Sequence, residues 1–416
     1  MEEIKILTNA TLIDGNYNSD IKNQMIVIKK KKIQYVGEMS KEVLHTYSDA
    51  TIIDVNGKTV MPGMIDAHVH LTLDGEPSYL MTLIKEDAKL TVLKGFKRAE
   101  KALQAGFTTI RCLGEKGPVD VAIKEAIDTG VIEGPNIISS GKAITITGGH
   151  GDMFPEGITI DGLATIIDGE DGARKAAREQ LKLGVDNLKM MATGGGMSPG
   201  PGTIAQLTVN EMKAVVEEAE KYGKITAAHA IGSEGIVNAL HAGIRTIEHG
   251  TFLNEEGIDL LLKNNSYLVP TLAAFKTLMY GEKGGVPEYH LEKVRFYQSQ
   301  HVDNLKRALD RGVKVITGTD AGTAFNYHGD NAYELEALVN AGMSEIEAIK
   351  AATSLAAEAL NLSDKGIIAD GMVADVIIVD GNPLQDITIL QKGAVETVIK
   401  EGKIVYTKEE KKIILH

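Results

Sequence analysis

Short apolar runs and amphipathic helical stretches alternate through the middle of the chain, from residue 61 to residue 360. This alternation is typical of a parallel β-sheet whose strands are connected by helices. Eight runs qualify as strands, and they read MPGMIDAHVHL, TTIRCLG, PNIISSG, NLKMMA, KITAAHA, RTIEHG, YLVPTL and KVITGTD. Eight strand–helix units in about 300 residues predict an α/β fold of the (β/α)8 (TIM) barrel type. An open, doubly wound sheet is the alternative, because the sequence does not give the order of the strands.

Glycine follows several of the predicted helices directly before the next strand begins. A helix often ends with a residue in the left-handed conformation, which glycine adopts without steric cost. We therefore predict left-handed helix ends at Gly106, Gly184, Gly223, Gly243 and Gly312.

The two ends of the chain have a different character from the middle. Residues 1–60 and 361–416 contain short β-type runs, such as IKILTNATLID and AVETVIKEGKIVY, separated by Gly, Asn and Asp. We expect these two segments to form one small β-domain beside a barrel formed by residues 61–360. The basic run from Lys29 to Lys32 separates two such runs, and we interpret it as a solvated hairpin tip.

The composition argues against several classes of partner. Lys and Arg total 44 against 57 Asp and Glu, and the net charge of −13 disfavours binding to nucleic acid. The single Cys112 excludes an intramolecular disulfide and fits a reducing compartment. We find neither a secretory signal pattern nor an apolar stretch of membrane-spanning length. We expect a cytoplasmic homo-oligomer that acts on a small molecule, without nucleic-acid or membrane partners.

Ionisable residues recur at the carboxyl ends of the predicted strands, where a barrel carries its active site. The first strand ends in a His-x-His pair, which points both imidazoles to one side of the strand. The complete set is His68, His70, Lys189, His229, His249 and Asp320. Four imidazoles, a carboxylate and a lysine at one rim predict a site for divalent cations such as zinc. Taken alone, Asp320 could also cap the segment that follows it.

Lys189 is the residue that discriminates between kinds of site. Burial in a barrel disfavours its ammonium form and favours the neutral amine. Three interpretations are open: a Schiff-base lysine, a lysine paired with a buried carboxylate, or an amine that has captured carbon dioxide as a carbamate. The carbamate alone makes the lysine an oxygen ligand that can bridge two cations, and the number of histidines favours it.

The remaining histidines that we considered give no comparable signal. They lie on helical stretches or near the chain ends, and we predict structural or solvated roles for His45, His241, His290, His301 and His416.

Several ordered motifs together resemble the amidohydrolase superfamily, and within it the prolidase-like branch of metal-dependent dipeptidases and carboxypeptidases. They are VMPGMIDAHVHL (60–71), LKMMATGGGMSPG (188–200), AAHAIGSEGI (227–236), TIEHGTFL (246–253), ITGTDAG (316–322) and KGIIADGMVADVIIVDGNPLQDI (365–387). The resemblance implies a distorted (β/α)8 barrel with a small β-sandwich formed by both termini. It also implies two divalent ions, of which one is bound by His68, His70 and Asp320 and the other by His229 and His249. Carboxylated Lys189 would bridge the two ions.

The resemblance extends to a residue that contacts substrate. The segment ITITGGHGD (144–152) is similar to a loop of this branch that offers a histidine to the substrate, which implies that role for His150. Some dipeptidases of the branch have a tyrosine two residues after the metal histidine of the fifth strand, where it holds the substrate carboxylate. This chain has Ile231 there, so that route of carboxylate recognition does not carry over.

These features lead to a mechanistic hypothesis. A metal-bridging hydroxide would attack the amide bond of a dipeptide or N-acyl amino acid. Asp320 would take the proton and return it to the leaving amine. The alternatives are a mononuclear cyclic-amide hydrolase or deaminase similar to imidazolonepropionase, and a metal-free barrel that serves in binding or assembly.

Overall fold

The computed structural model describes residues 3–16, 19–155, 157–158, 160–196, 198, 200–281 and 284–408. Its strands are β1 Ile4–Leu12, β2 Ile21–Lys29, β3 Lys32–Glu38, β4 Thr51–Asp54, β5 Thr59–Pro62, β6 Met64–Val69, β7 Phe107–Cys112, β8 Asn136–Ile138, β9 Ala143–Ile146, β10 Ala164–Ile167, β11 Asn187–Met191, β12 Ile225–Ala230, β13 Thr246–His249, β14 Tyr267–Val269, β15 Val376–Val379, β16 Val395–Lys400 and β17 Lys403–Thr407.

The helices alternate with the central strands. They are α1 Lys41–Thr46, α2 Tyr79–Lys85, α3 Ala88–Gln104, α4 Val119–Asp128, α5 Gly169–Lys182, α6 Val209–Lys221, α7 Ser233–His241, α8 Glu255–Asn264, α9 Lys276–Gly281, α10 Glu288–Asp310, α11 Tyr333–Asn340, α12 Glu345–Ala351 and α13 Ser354–Ala359. Two short 3₁₀ helices, Leu272–Phe275 and Ile387–Gln391, complete the set. Within the described part of the chain, no helix combines the length and the apolar character needed to cross a bilayer.

Strands from both ends of the chain share one eight-stranded sheet. Its order is β17-β16-β15-β5-β1-β2-β3, with β4 paired to β1. The join between the two ends is the antiparallel pair of β15 and β5, in which Ile377 lies opposite Met61. Side chains from both ends pack in a shared apolar cluster that includes Leu7, Val60 and Val376. The tip between β2 and β3 contains Lys30 and Lys31, in agreement with the predicted hairpin.

The middle of the chain contains parallel sheets, as the alternating pattern predicts. One sheet has the order β10-β9-β11-β12-β13-β14 and the other the order β6-β7-β8, and all their pairings are parallel. The backbone N–H of Asn187 at the start of β11 donates to the Ser139 carbonyl just after β8. This hydrogen bond joins the two central sheets on one side.

The eighth predicted strand is not a regular strand. Residues 314–321 make isolated parallel bridges to two named strands, from Val315 to Leu268 of β14 and from Ala321 to Val69 of β6. The segment thus lies between β14 and β6 and joins the two central sheets on their other side. Gly318 packs so close to the neighbouring strands that a Cβ atom there would lie 2.4 Å from Val269 Cγ1 and 2.9 Å from the His68 Cβ, so this position needs glycine.

The helix ends follow the glycine prediction. Gly106, Gly184, Gly223, Gly243 and Gly312 all have positive φ, between 63° and 92°. Helix α6 shows both of its signals, because Thr208 and Glu211 form a capping box at its start and Gly223 follows its end. Local sequence therefore fixes where the helix connecting β11 to β12 begins and ends.

A buried ion pair ties the terminal sheet to the central strands. Lys365 Nζ lies 2.6 Å from Asp375 Oδ2, and their side chains are 13% and 4% exposed. Asp375 also accepts hydrogen bonds from the Asn136 side chain and from the backbone N–H of Glu401. Lys365 thus neutralises a carboxylate that bonds to β8 and to the β16–β17 turn.

Replacing Lys365 by Met should destabilise the protein by about 3 kcal/mol, because it leaves a buried carboxylate without its cation. The measurement is the urea midpoint of unfolding. Lys392 pairs with Asp386 while both side chains are at least half exposed, so Lys392→Met should cost less than about 1 kcal/mol and serves as the matched control. Equal midpoints for the two variants would contradict the role given to the Lys365–Asp375 pair.

Candidate metal centre

Side chains from four parallel strands meet in one cavity with a volume of about 120 Å³. Parallel pairing explains the convergence, because Met191 lies beside His229 and Ala230 beside His249, so neighbouring strands end at similar levels. Every site residue predicted from the sequence lines this cavity, namely His68, His70, His150, Lys189, His229, His249 and Asp320.

Three of these residues form a group that can hold a metal ion. The Oδ1 atom of Asp320 lies 3.0 Å from His70 Nε2 and 3.4 Å from His68 Nε2. One ligand atom from each of the three residues lies within 4.8 Å of the others. Two imidazoles and a carboxylate at this spacing fit a divalent cation of the zinc type.

Two further imidazoles lie next to this group. The ring centroid of His249 is 5.3 Å from that of His68 and 4.6 Å from that of His229. The four histidines therefore form a continuous cluster in the cavity that the buried side chain of Lys189 also lines.

Each of the four imidazoles has one ring nitrogen held by the protein frame. His68 Nδ1 lies 2.8 Å from Glu248 Oε2, His70 Nδ1 lies 3.0 Å from the Gly114 carbonyl, and His229 Nε2 lies 2.8 Å from the Gly194 carbonyl. A nitrogen beside a carboxylate or carbonyl donates, so the other nitrogen of His68 and of His229 keeps its lone pair, whereas His70 Nε2 lies 3.0 Å from Asp320 Oδ1 and donates to that carboxylate. Ligating histidines are typically fixed in this way, and the donor set therefore fits bound cations.

The fourth imidazole is oriented by a hydroxyl group. His249 Nδ1 lies 2.7 Å from Thr271 Oγ1, and that hydroxyl donates its own proton to the Pro270 carbonyl. Thr271 must therefore accept from His249 Nδ1, which leaves His249 Nε2 with the lone pair.

The electrostatics of the cavity favour a cation. Burial lowers the pKa of Lys189 to about 8 and that of His249 to about 4. Burial alone would raise the pKa of Asp320, but the imidazoles of His68 and His70 hold it well below its usual range. Burial likewise opposes protonation of His70, yet the hydrogen bond and charge of Asp320 raise the pKa of that imidazole. The carboxylate of Asp320 is therefore ionised at neutral pH.

Two of these residues lie in a strained backbone conformation. His249 has φ of 70° and Asp320 has φ of 60°, in the left-handed region that non-glycine residues rarely occupy. His249 is the last residue of β13, and Asp320 lies in the irregular segment that follows β14 and α10. Strained backbone of this kind concentrates at functional sites, where the surrounding structure holds it in place.

Comparison with known proteins identifies the family. Residues 59–405 match the sequence profile of the amidohydrolase family. The chain belongs to the amidohydrolase family. It is 31% identical to ochratoxinase from Aspergillus niger over 426 residues, an alignment that covers 97% of this chain and 86% of that one. Membership supports hydrolysis of an amide or another C–N bond.

Solved structures agree with the predicted branch of the family. This amidohydrolase is 33% identical to a Xaa-Pro dipeptidase with methionine bound in its active site, with a TM-score of 0.88 over 97% of this chain and 100% of the other. It is 32% identical to a prolidase complexed with N-methylphosphonate-L-proline, with a TM-score of 0.89 over the same shares of the two chains. The resemblance to prolidase-like amidohydrolases is thereby confirmed.

His150 lies against the histidine cluster. Its ring stacks on that of His229 with centroids 4.2 Å apart, and its Nδ1 is 2.6 Å from Ser198 Oγ. The glycine-rich turn after β11 approaches it so closely that a Cβ atom on Gly195 would lie 2.3 Å from the ring. The turn therefore needs glycine at this position in order to pass over His150.

Two histidines of helix α10, for which we predicted structural or solvated roles, are buried rather than solvated. His290 and His301 are 6% and 3% exposed and line the same cavity. Their helix lies between the seventh and eighth predicted strands, in a stretch with many polar residues. Their spacing of eleven residues, three helical turns, was the available signal that both lie on one face.

Sequence reasoning also missed the pair that supports His68. Glu248 accepts from His68 through one carboxylate oxygen and from Arg111 through the other, at 2.8 and 2.9 Å. Both Glu248 and Arg111 are fully buried. The adjacent letters E and H in TIEHG carried no hint that the carboxylate supports a histidine on another strand.

Replacing Thr271 by Val should weaken zinc binding about 10- to 100-fold, because it removes the acceptor that orients His249 while preserving the shape of the side chain. Zinc affinity is measured by competition with a chromogenic chelator. Thr271→Ser retains the hydroxyl and should bind zinc like the wild type. Unchanged affinity in Thr271→Val would show that the hydroxyl does not orient a ligand.

Proposed function

We propose that this amidohydrolase is a metal-dependent enzyme that cleaves an amide bond of a dipeptide or N-acyl amino acid. The observation that carries the proposal is the set of four neighbouring imidazoles, each with one nitrogen fixed by a hydrogen bond to the protein, together with the carboxylate of Asp320. The similarity to a Xaa-Pro dipeptidase and a prolidase supports this choice of substrate class.

The proposal includes a closed (β/α)8 barrel. Strands β6, β7, β8, β11, β12, β13 and β14, with residues 314–321 as the eighth member, would follow one another around it. Residues 61–360 would form this catalytic barrel, and residues 1–60 with 361–416 would fold as a β-sandwich. The hydrogen bond from Asn187 to Ser139 and the bridge from Ala321 to Val69 support closure.

Two divalent ions, zinc for preference, would be bound in the cavity. His68, His70 and Asp320 would hold one ion, and His229 and His249 the other. Lys189 would bridge them after its neutral amine attacks carbon dioxide, which forms an N–C bond and releases one proton to solvent. Burial of Lys189 and its lowered pKa support this step, because the nucleophile is the unprotonated amine.

The side chains then have distinct roles in hydrolysis. When bound, the cations would acidify a water molecule and polarise the scissile carbonyl. Asp320 would accept the proton of the attacking water and pass it to the leaving amine, which is a poor leaving group unless protonated. His150, beside His229, would donate a hydrogen bond that orients the substrate.

Hydrolysis of a library of Xaa-Xaa dipeptides and N-acyl amino acids by zinc-reconstituted protein tests the proposal. Asp320→Asn is the control and should lower turnover about 10²- to 10⁴-fold, because it removes the proton shuttle. Failure of every substrate with every divalent metal would overturn the proposal and favour a binding or assembly role. Hydrolysis of cyclic amides alone, with one metal per chain, would favour an enzyme of the imidazolonepropionase type.

Replacing Lys189 by Ala should abolish activity and reduce the metal content from two ions per chain to one. Short carboxylic acids should restore part of the activity, because they can supply the missing bridging oxygens. Metal content is measured by elemental analysis and activity on the best substrate of the library. Two ions and full activity in Lys189→Ala would refute the bridging role.

A further inference from the structure

One face of helix α10 forms part of the cavity. His290, Val294, Tyr297 and His301 recur at intervals of four, three and four residues, which is the spacing of a single helical face. Two residues at the end of the 3₁₀ helix Leu272–Phe275 line the cavity together with these four. We call this set of six residues the α10 wall: Ala274, Phe275, His290, Val294, Tyr297 and His301. The ring of Phe275 meets that of His301 edge to face, with centroids 5.2 Å apart.

The polar groups of the α10 wall carry no formal charge at neutral pH. Burial lowers the pKa of both His290 and His301 to about 4, so both imidazoles are neutral. The backbone of Gly202 engages the hydroxyl of Tyr297. His301 Nδ1 lies 3.1 Å from Thr251 Oγ1, whereas its Nε2 is buried and has no hydrogen-bond partner among the described residues.

The other described residues that line the cavity provide no charged group that could neutralise a charged side chain of a substrate. Apart from Lys189 and Asp320, the described lining residues include no Asp, Glu, Lys or Arg. Those two belong to the proposed metal centre. Ile231, Met191 and Leu163 contribute further apolar surface. A charged group placed here would lose its hydration without gaining a counter-ion, which is strongly unfavourable.

We propose that the α10 wall selects a substrate with a large, uncharged, aromatic or branched aliphatic side chain next to the scissile amide. His301 Nε2 is a buried polar atom of this uncharged surface that could hydrogen-bond to the substrate. The inference rests on the proposed amide hydrolysis and narrows it, because basic and acidic side chains are excluded.

Two matched substrate series test the selection. In Xaa-Gly and N-acetyl-Xaa, Xaa is Phe, Leu, Arg or Glu, so the side chain lies on either side of the scissile bond. In at least one series, kcat/KM for Phe and Leu should exceed that for Arg and Glu by about 100-fold or more, because the ion must be buried without a partner. Comparable values for Arg or Glu in both series would overturn the inference while leaving amide hydrolysis intact.

A carboxylate introduced into the wall should reverse part of the preference. Val294→Asp should raise the ratio of kcat/KM for Arg over Phe about 10-fold or more, because the new anion can pair with the guanidinium. Gln300→Asp adds the same charge on an exposed part of the same helix and should leave the ratio unchanged. An unchanged ratio in Val294→Asp would show that the α10 wall does not face the side chain.

Binding measured without turnover separates this inference from the proposed function. Calorimetry on the protein as purified compares N-acetyl amides of Phe, Arg and Glu, for which the side chain is the only difference. Tighter binding of the Phe derivative supports the inference even if no library substrate is cleaved. Equal or tighter binding of the Arg or Glu derivative, or no binding of any of the three at millimolar concentration, overturns it.

Discussion

The fixed orientation of four buried imidazoles is the constraint on which the candidate site depends. Each ring has a hydrogen-bond partner behind it, and these partners come from four different places: a strand carboxylate, two backbone carbonyls and a threonine hydroxyl. An imidazole that donates on one side presents a lone pair on the other. These hydrogen-bond partners therefore orient the ring nitrogens of the cavity before any ligand enters it. The strained backbone of His249 and Asp320 helps to hold two of the site side chains in place.

The part of the site that lies on strand ends could be predicted from the sequence. Parallel strands bring their carboxyl ends to one rim, so residues such as His70 and His249, which are far apart in the chain, converge for topological reasons. Glycines before the next strand also predicted where the helices end, because a helix that ends in the left-handed conformation usually has glycine at that position. The position of a side chain can be predicted from the sequence where a single rule of backbone geometry determines it, as at the ends of parallel strands.

The rest of the site could not be predicted, because it depends on packing between distant elements. Helix α10 lies between β14 and the eighth predicted strand, and its polar sequence concealed that His290 and His301 are buried. The partnership of Glu248 with Arg111 and His68 joins three strands. The sequence of residues 314–321 predicts a strand, but the segment makes only isolated bridges to β14 and β6.

The surroundings of the Lys189 side chain are compatible with its proposed conversion to a carbamate. No hydrogen bond from a described residue reaches its buried amine, and the nearest carboxylates are already engaged, Glu248 by Arg111 and Asp320 by two imidazoles. An ammonium at this point would be a buried ion without a direct partner, which is the least favourable state for a lysine. Conversion to a carbamate, as proposed, would replace that cation with an anion beside the imidazoles. Such a group gains its stabilisation from bound cations, so metal binding and modification of Lys189 would depend on each other.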